Sequence, residues 1–160
     1  LNPREIATMF LATTCHDLDH PGNSNNFEIH EQTPVAQKFP DSPLENHHVE
    51  LACRLFDELG LLADIDETSR ISIRHGVAQL ILATDMAKHG AVTGRLQDLN
   101  SSGKAAVAEA KTDHNKKILV LQNVLKCADI SNQCRVLACA KFWNECVYSE
   151  FYAEGDNDKK

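Results

Sequence analysis

The sequence predicts an all-α fold, compact and multi-helical, with no significant sheet. Three observations carry this. Apolar residues recur at helical spacing, short Pro, Gly and Ser clusters separate those stretches, and almost nothing reads as strand. The 160 residues hold no internal repeat and no long linker, so they make one domain with room for a real core.

The elements follow in chain order. Ile6, Met9, Phe10, Thr13 and Thr14 share one helical face, opened by the Asn2-Pro3 cap and first-turn signal. Pro21-Gly22-Asn23-Ser24 breaks the chain, and a second helix is expected from about Asn25 to Lys38. Pro40-Asp41-Ser42-Pro43 starts the next, with Ser42 and Glu45 as a capping box and Gly60 as its end. That helix carries Leu44, Val49, Leu51, Ala52, Leu55, Phe56 and Leu59. A long helix is expected from about Glu67 to His89, then a loop at Ser101-Ser102-Gly103. Ala105 to Ala110 is too weakly amphipathic to assign. Ile118, Leu119, Leu121, Val124, Leu125 and Ala128 define a further helix, and Cys139 to Tyr152 the last.

Composition narrows the function classes. Hydrophobic residues make up 42% and charged residues 24%, the values of a soluble globular chain. The net charge of −7 argues against nonspecific binding to nucleic acid or anionic lipid. The longest apolar runs fall far below the roughly 18 residues of a membrane span. No signal peptide is visible, and the start at Leu1 suggests a piece of something longer. Six cysteines without a C-x-x-C pair exclude zinc ribbons and thioredoxin-like chemistry; they read mostly as small buried thiols in a reducing, cytoplasmic setting.

The chemistry sits in four short stretches. In His16-Asp17-Leu18-Asp19-His20 the histidines would share a helix face one turn apart, flanked by two carboxylates. Imidazole nitrogen suits zinc, and carboxylate oxygen takes zinc or a harder ion such as magnesium. Leu44-Glu45-Asn46-His47-His48 holds a single E-x-x-H, whereas a di-iron bundle needs two. H-E-x-x-H is absent, which excludes zincin proteases. Ala83-Thr84-Asp85-Met86-Ala87-Lys88-His89 closes a long apolar helix, with Asp85 and His89 expected as an exposed i, i+4 pair. In Cys127-Ala128-Asp129-Ile130-Ser131-Asn132, Asp129 lies at a helix C-terminus, where a carboxylate opposes the dipole unless a cation holds it. His16, Asp17 and Asp129 thus form a candidate metal site bridged by one carboxylate.

The motifs HDLDHPG, SPLENHH, ILATDMAKH and LKCADISN, followed by Glu150-Phe151-Tyr152-x-x-Gly155-Asp156, together resemble the class I cyclic nucleotide phosphodiesterases. These are a branch of the HD-type metal phosphohydrolases. The resemblance covers residues 1–160, read as the middle of a catalytic domain with parts missing on both sides. It implies hydrolysis of 3′,5′-cyclic nucleotides, cyclic AMP or cyclic GMP, to 5′-monophosphates in signal transduction. His16, Asp17 and Asp129 match protein ligands of the zinc, and Asp17 also reaches a second ion, magnesium or manganese. His20, Glu45 and Thr84 match residues that hold metal-site waters. Met86, Ile130, Asn132, Val147 and Phe151 match positions lining the nucleotide pocket.

The family's proton-donating histidine and fourth zinc ligand belong to an upstream H-N-x-x-H segment, and its purine-gripping glutamine lies downstream. Both fall outside this chain, so residues 1–160 alone are expected to be inactive and to expose an apolar stripe at Ile118, Leu121 and Leu125. Gln133-Cys134 follows Asn132 where the family usually has a proline, and Ala140 replaces a commonly larger residue. Two other readings stay open: an HD-type phosphohydrolase of linear nucleotides, and a nucleotide- or protein-binding module without catalysis. Cyclic nucleotide is the expected partner, with no nucleic acid and no membrane contact by this segment.

Overall fold

A computed structural model describes residues 1–109 and 111–157, and it is helical throughout with short turns. The order is α1 (Pro3–Cys15), α2 (Asn25–His30), α3 (Pro34–Lys38), α4 (Pro43–Glu58) and α5 (Glu67–Ile81). Then come α6 (His89–Ser101), α7 (Gly103–Glu109), α8 (His114–Asp129) and α9 (Leu137–Asn157). Two 3₁₀ turns, Met86–Lys88 and Ile130–Cys134, precede α6 and α9. No strand occurs among the described residues. No described helix is long and apolar enough to cross a membrane.

The core forms where α1, α4, α5 and α8 meet. Ala12, Ala52, Phe56, Val77, Leu80, Ile81 and Leu125 are its most buried members. α1 and α5 pack closely: a Cβ built on Gly76 would lie 2.7 Å from Thr8 Cγ2. Glycine there lets the two backbones close.

This approach also decides which face of α1 is inward. Thr8, Ala12 and Cys15 are buried, whereas Ile6 is 56% exposed and Phe10 71%. Of the face expected from Ile6, Met9, Phe10, Thr13 and Thr14, Met9 packs against the core and the other four are exposed; that part is corrected, because small side chains admit α5. On α8 the expected exposed stripe is also overturned. Ile118, Leu121 and Leu125 are buried against α5 and α6.

Several helix boundaries move for identifiable reasons. The helix expected over 25–38 splits at Gln32, whose φ of +51° lies in the left-handed region. Pro34 cannot donate a helical hydrogen bond and instead starts α3, with Thr33 capping it through the Ala36 N–H. The Thr33 hydroxyl also bonds the buried carboxylate of Glu28, which fixes the corner. At the start of α4, Ser42 makes no capping box, because its φ of +46° aims the hydroxyl elsewhere. The helix expected to reach His89 stops at Ile81.

α7 occupies part of the stretch left unassigned over 105–110; Ala110 lies outside the described residues. The expected loop at 101–103 is only the junction of α6 and α7. The cysteines are all free, but only Cys15 is buried, while Cys127, Cys134 and Cys139 are exposed. Most are thus not core thiols, because α9 and the end of α8 show those faces to solvent.

Candidate metal centre and the adjoining pocket

His16 is the residue that caps the C-terminus of α1, and tight turns follow it. The Leu18 N–H donates to the Cys15 carbonyl and the His20 N–H to the Asp17 carbonyl, each at 3.2 Å. Asp19 then takes a φ of +60° and reverses the chain. His16 and His20 therefore do not share a helix face as the sequence suggested.

The His16 ring is oriented by its own helix. Nδ1 lies 2.9 Å from the Thr13 carbonyl, which can only accept, so Nδ1 carries the proton. Nε2 is left facing two carboxylates, Asp17 Oδ2 at 3.3 Å and Asp129 Oδ1 at 3.4 Å. The three potential ligand atoms lie within 4.8 Å of one another. Asp129 comes from the last turn of α8, 113 residues along the chain. With these groups alone, the His16 imidazole is pushed up to about pKa 9. The hydrogen bond to Asp129 is the chief cause, opposed by burial and reinforced by the charge of Asp17. Two carboxylates thus demand a cation at this point, and a metal ion bound at Nε2 would displace the proton.

Asp19 stands apart. Its exposed carboxylate meets His47 Nε2 at 3.0 Å. The neighbouring His48 is buried, and its Nδ1 donates to the Leu18 carbonyl at 2.7 Å. Burial pushes the His48 pKa down, and its ring stacks on His20 with centroids 5.6 Å apart. These contacts pin the turn that carries His16 and Asp17.

Beside this cluster is a cavity of about 390 Å³ lined by His20, Glu45, Thr84 and Met86, among others. The three residues expected to hold waters thus converge around one space. Glu45 Oε2 accepts from Asn25 Nδ2 at 2.8 Å, while Asn25 Oδ1 accepts from the Leu44 N–H at 3.0 Å. Burial raises the Glu45 pKa, with the Asn25 hydrogen bond opposing it. Thr84 is buried, and its hydroxyl donates to the Ile81 carbonyl at 2.7 Å, ending α5. Asp85 is buried in the following turn, so the expected exposed pair with His89 does not form. Met86 lines the cavity; Asn132 sits in the 3₁₀ turn after α8, and Ile130, Val147 and Phe151 stand exposed outside it.

A second opening is lined by Asp17, His20, Pro21, Gly22 and Glu150. α9 is tied to this loop by Glu154, whose carboxylate accepts from the Ser24 N–H at 2.6 Å and its hydroxyl at 2.7 Å. Sequence reasoning passed over Asn25 and Glu154. Glu150 and Glu154 do lie four apart on one helix, which was the available signal.

All 160 residues match the family model of the 3′5′-cyclic nucleotide phosphodiesterases. The chain belongs to this family. Among its relatives is the mouse (Mus musculus) high affinity cGMP-specific 3′,5′-cyclic phosphodiesterase 9A, 34% identical over 97% of this chain and 28% of the relative. Mouse 3′,5′-cyclic-AMP phosphodiesterase 4C is 31% identical over 98% of this chain and 24% of its own length. The crystal structure of the phosphodiesterase domain of the RhoPDE fusion protein from Salpingoeca rosetta superposes with a TM-score of 0.92 at 29% identity. That match takes in 99% of this chain and 50% of the solved one. The chain therefore spans about a quarter of the curated relatives and half of that domain. The resemblance read from the four motifs is borne out, and so is the all-α class. Phosphodiesterase membership implies dependence on divalent metal, and an imidazole nitrogen with two carboxylate oxygens is a donor set that fits such an ion.

Proposed function

We propose that this chain is the metal-holding part of a catalytic domain that hydrolyses 3′,5′-cyclic nucleotides to 5′-nucleoside monophosphates. The observation that carries the reading is the convergence of His16, Asp17 and Asp129 from opposite ends of the chain onto one point. In this reading His16, Asp17 and Asp129 are ligands of zinc, and Asp17 also reaches magnesium or manganese. When bound, the ions offset negative charge growing on the phosphoryl oxygens.

The protein's own groups supply the rest. His20, Glu45 and Thr84 orient water in the cavity, and Asn25 holds the Glu45 carboxylate in place. Met86, Ile130, Asn132, Val147 and Phe151 contact the nucleotide. Water forms a bond to phosphorus and gives up a proton, the bond from phosphorus to the 3′ oxygen breaks, and that oxygen takes up a proton, so the step consumes one water overall. The free thiols suit the reducing cytoplasm, and the net charge of −7 suits a small-molecule partner rather than nucleic acid.

The test compares two neighbouring carboxylates in the protein carrying this segment. Asp17→Asn is expected to abolish hydrolysis of cyclic AMP and cyclic GMP, whereas Asp19→Asn leaves most of it. Equal damage from both, with helicity intact by circular dichroism, would overturn the assignment.

A further inference from the structure

Lys126 lies on α8 three residues before Asp129 and is only 4% exposed. A buried lysine needs partners, and this one has three. Its Nζ donates to the carbonyls of Ala83 at 2.8 Å, Thr84 at 3.1 Å and Asp85 at 3.3 Å. Three ammonium protons meet three carbonyls, so the group is satisfied. These carbonyls follow the C-terminus of α5, where a cation complements the helix dipole. The same turn is gripped from the other side. Asp85 Oδ2 accepts from the Ser42 hydroxyl at 2.6 Å, and Oδ1 accepts from the Ala87 N–H at 2.8 Å. Thr84 and Met86, both on the cavity wall, sit inside this grip.

We propose that Lys126 is a positioning residue, which sets the turn bearing Thr84 and Met86 in register with Asp129 on the same helix. The inference rests on the phosphodiesterase reading for its kinetic consequence. Its geometric content is independent of that reading. Lys126 acts only through main-chain carbonyls: it bonds those of residues 83–85, of which Thr84 and Asp85 line the cavity. A lysine serving stability alone would affect melting but leave turnover unchanged below the melting transition.

The experiment uses Lys126→Met, which keeps the stem and removes the ammonium, alone and combined with Thr84→Val. Hydrolysis of both cyclic nucleotides is measured well below each variant's melting temperature. Thr84→Val is expected to lower kcat about 10–100-fold, the scale for a group supporting metal-site chemistry. Lys126→Met should lower kcat by a similar factor with little change in KM, and add under threefold in the Thr84→Val background. Full additivity, or unchanged kcat, overturns the proposal.

Amide hydrogen exchange supplies a readout without activity. Exchange at Ala87 and Lys88 should quicken at least tenfold in Lys126→Met while residues 73–80 of α5 keep their protection; unchanged exchange at 87 and 88 overturns the proposal. Where Lys126→Met does not fold, Ser42→Ala probes the same turn from α4, and normal kcat with normal exchange there rejects the grip. Absence of hydrolysis in the unmodified protein carrying this segment together with its flanking regions would sink the phosphodiesterase reading and leave the exchange result to decide the role of Lys126.

Discussion

Asp17 and Asp19 carry the same carboxylate two residues apart, yet one faces His16 and the other is drawn out to His47. Backbone geometry separates them, through the left-handed φ of Asp19. The electrostatic consequence falls on His16, which faces Asp17, Asp129 and the Thr13 carbonyl. Its folded pKa of about 9 stands above the ordinary 6.5, so protonation favours the folded state. That contribution is complete below about pH 6.5 and is lost as pH rises through 9. The full shift would correspond to about 3 kcal/mol, and since solvent screens the half-buried group, metal-free protein is expected to lose on the order of 2 kcal/mol across this window. Urea denaturation in chelator at several pH values measures it, and Asp129→Asn should flatten the dependence. An equally steep loss in Asp129→Asn would show that another group titrates. The candidate ligands were legible as candidates because His16, Asp17 and Asp129 lie in dense motifs of metal-binding residue types. Asn25 was not legible, since an asparagine after a serine cap is ordinary and only the fold brings Glu45 to it.

At the scale of elements, periodicity located the helices and misjudged where several stop. The ends of α2 and α5 are set by contacts distant in sequence or by φ values that no periodicity encodes. Lys126 fixes the chain after α5 from 43 residues away, and Thr33 with Glu28 fixes the corner after α2. The inward face of α1 was misread for a related reason. Large apolar side chains at Ile6 and Phe10 outweigh Thr8, Ala12 and Cys15 in any hydrophobic count, but only the small set admits α5. Gly76 makes this testable. Gly76→Ala should gain the helix preference of alanine and still destabilise by about 1–3 kcal/mol through overpacking against Thr8. Adding Thr8→Ala should recover part of the loss in the urea midpoint. A Gly76→Ala protein as stable as the parent would show that α1 shifts freely.

For the molecule as a whole, the candidate metal centre joins the end of α1 to the end of α8. An ion there binds the folded chain and not the unfolded one, so it raises stability by mass action. Zinc at about 100 times its dissociation constant adds about 2.7 kcal/mol. The melting temperature should therefore rise with zinc and fall with chelator, while Asp129→Asn should respond to neither. A wild-type melting temperature indifferent to both would argue against the site. The global class was legible because composition and period agree along the chain. The side on which apolar surface would show was not: the Ile118, Leu121 and Leu125 stripe of α8 is covered, and Phe142, Trp143 and Phe151 of α9 are exposed instead. The clasp between Ser24 and Glu154 bears on the time course of folding. It closes a span of 130 residues, and a contact so remote in sequence carries a large loop-closure cost before it rewards the chain. α9 should accordingly dock after the rate-limiting barrier. Glu154→Gln is then expected to speed unfolding and leave the refolding rate unchanged in stopped-flow measurements, so the helix that ties down the site loop arrives last and leaves first.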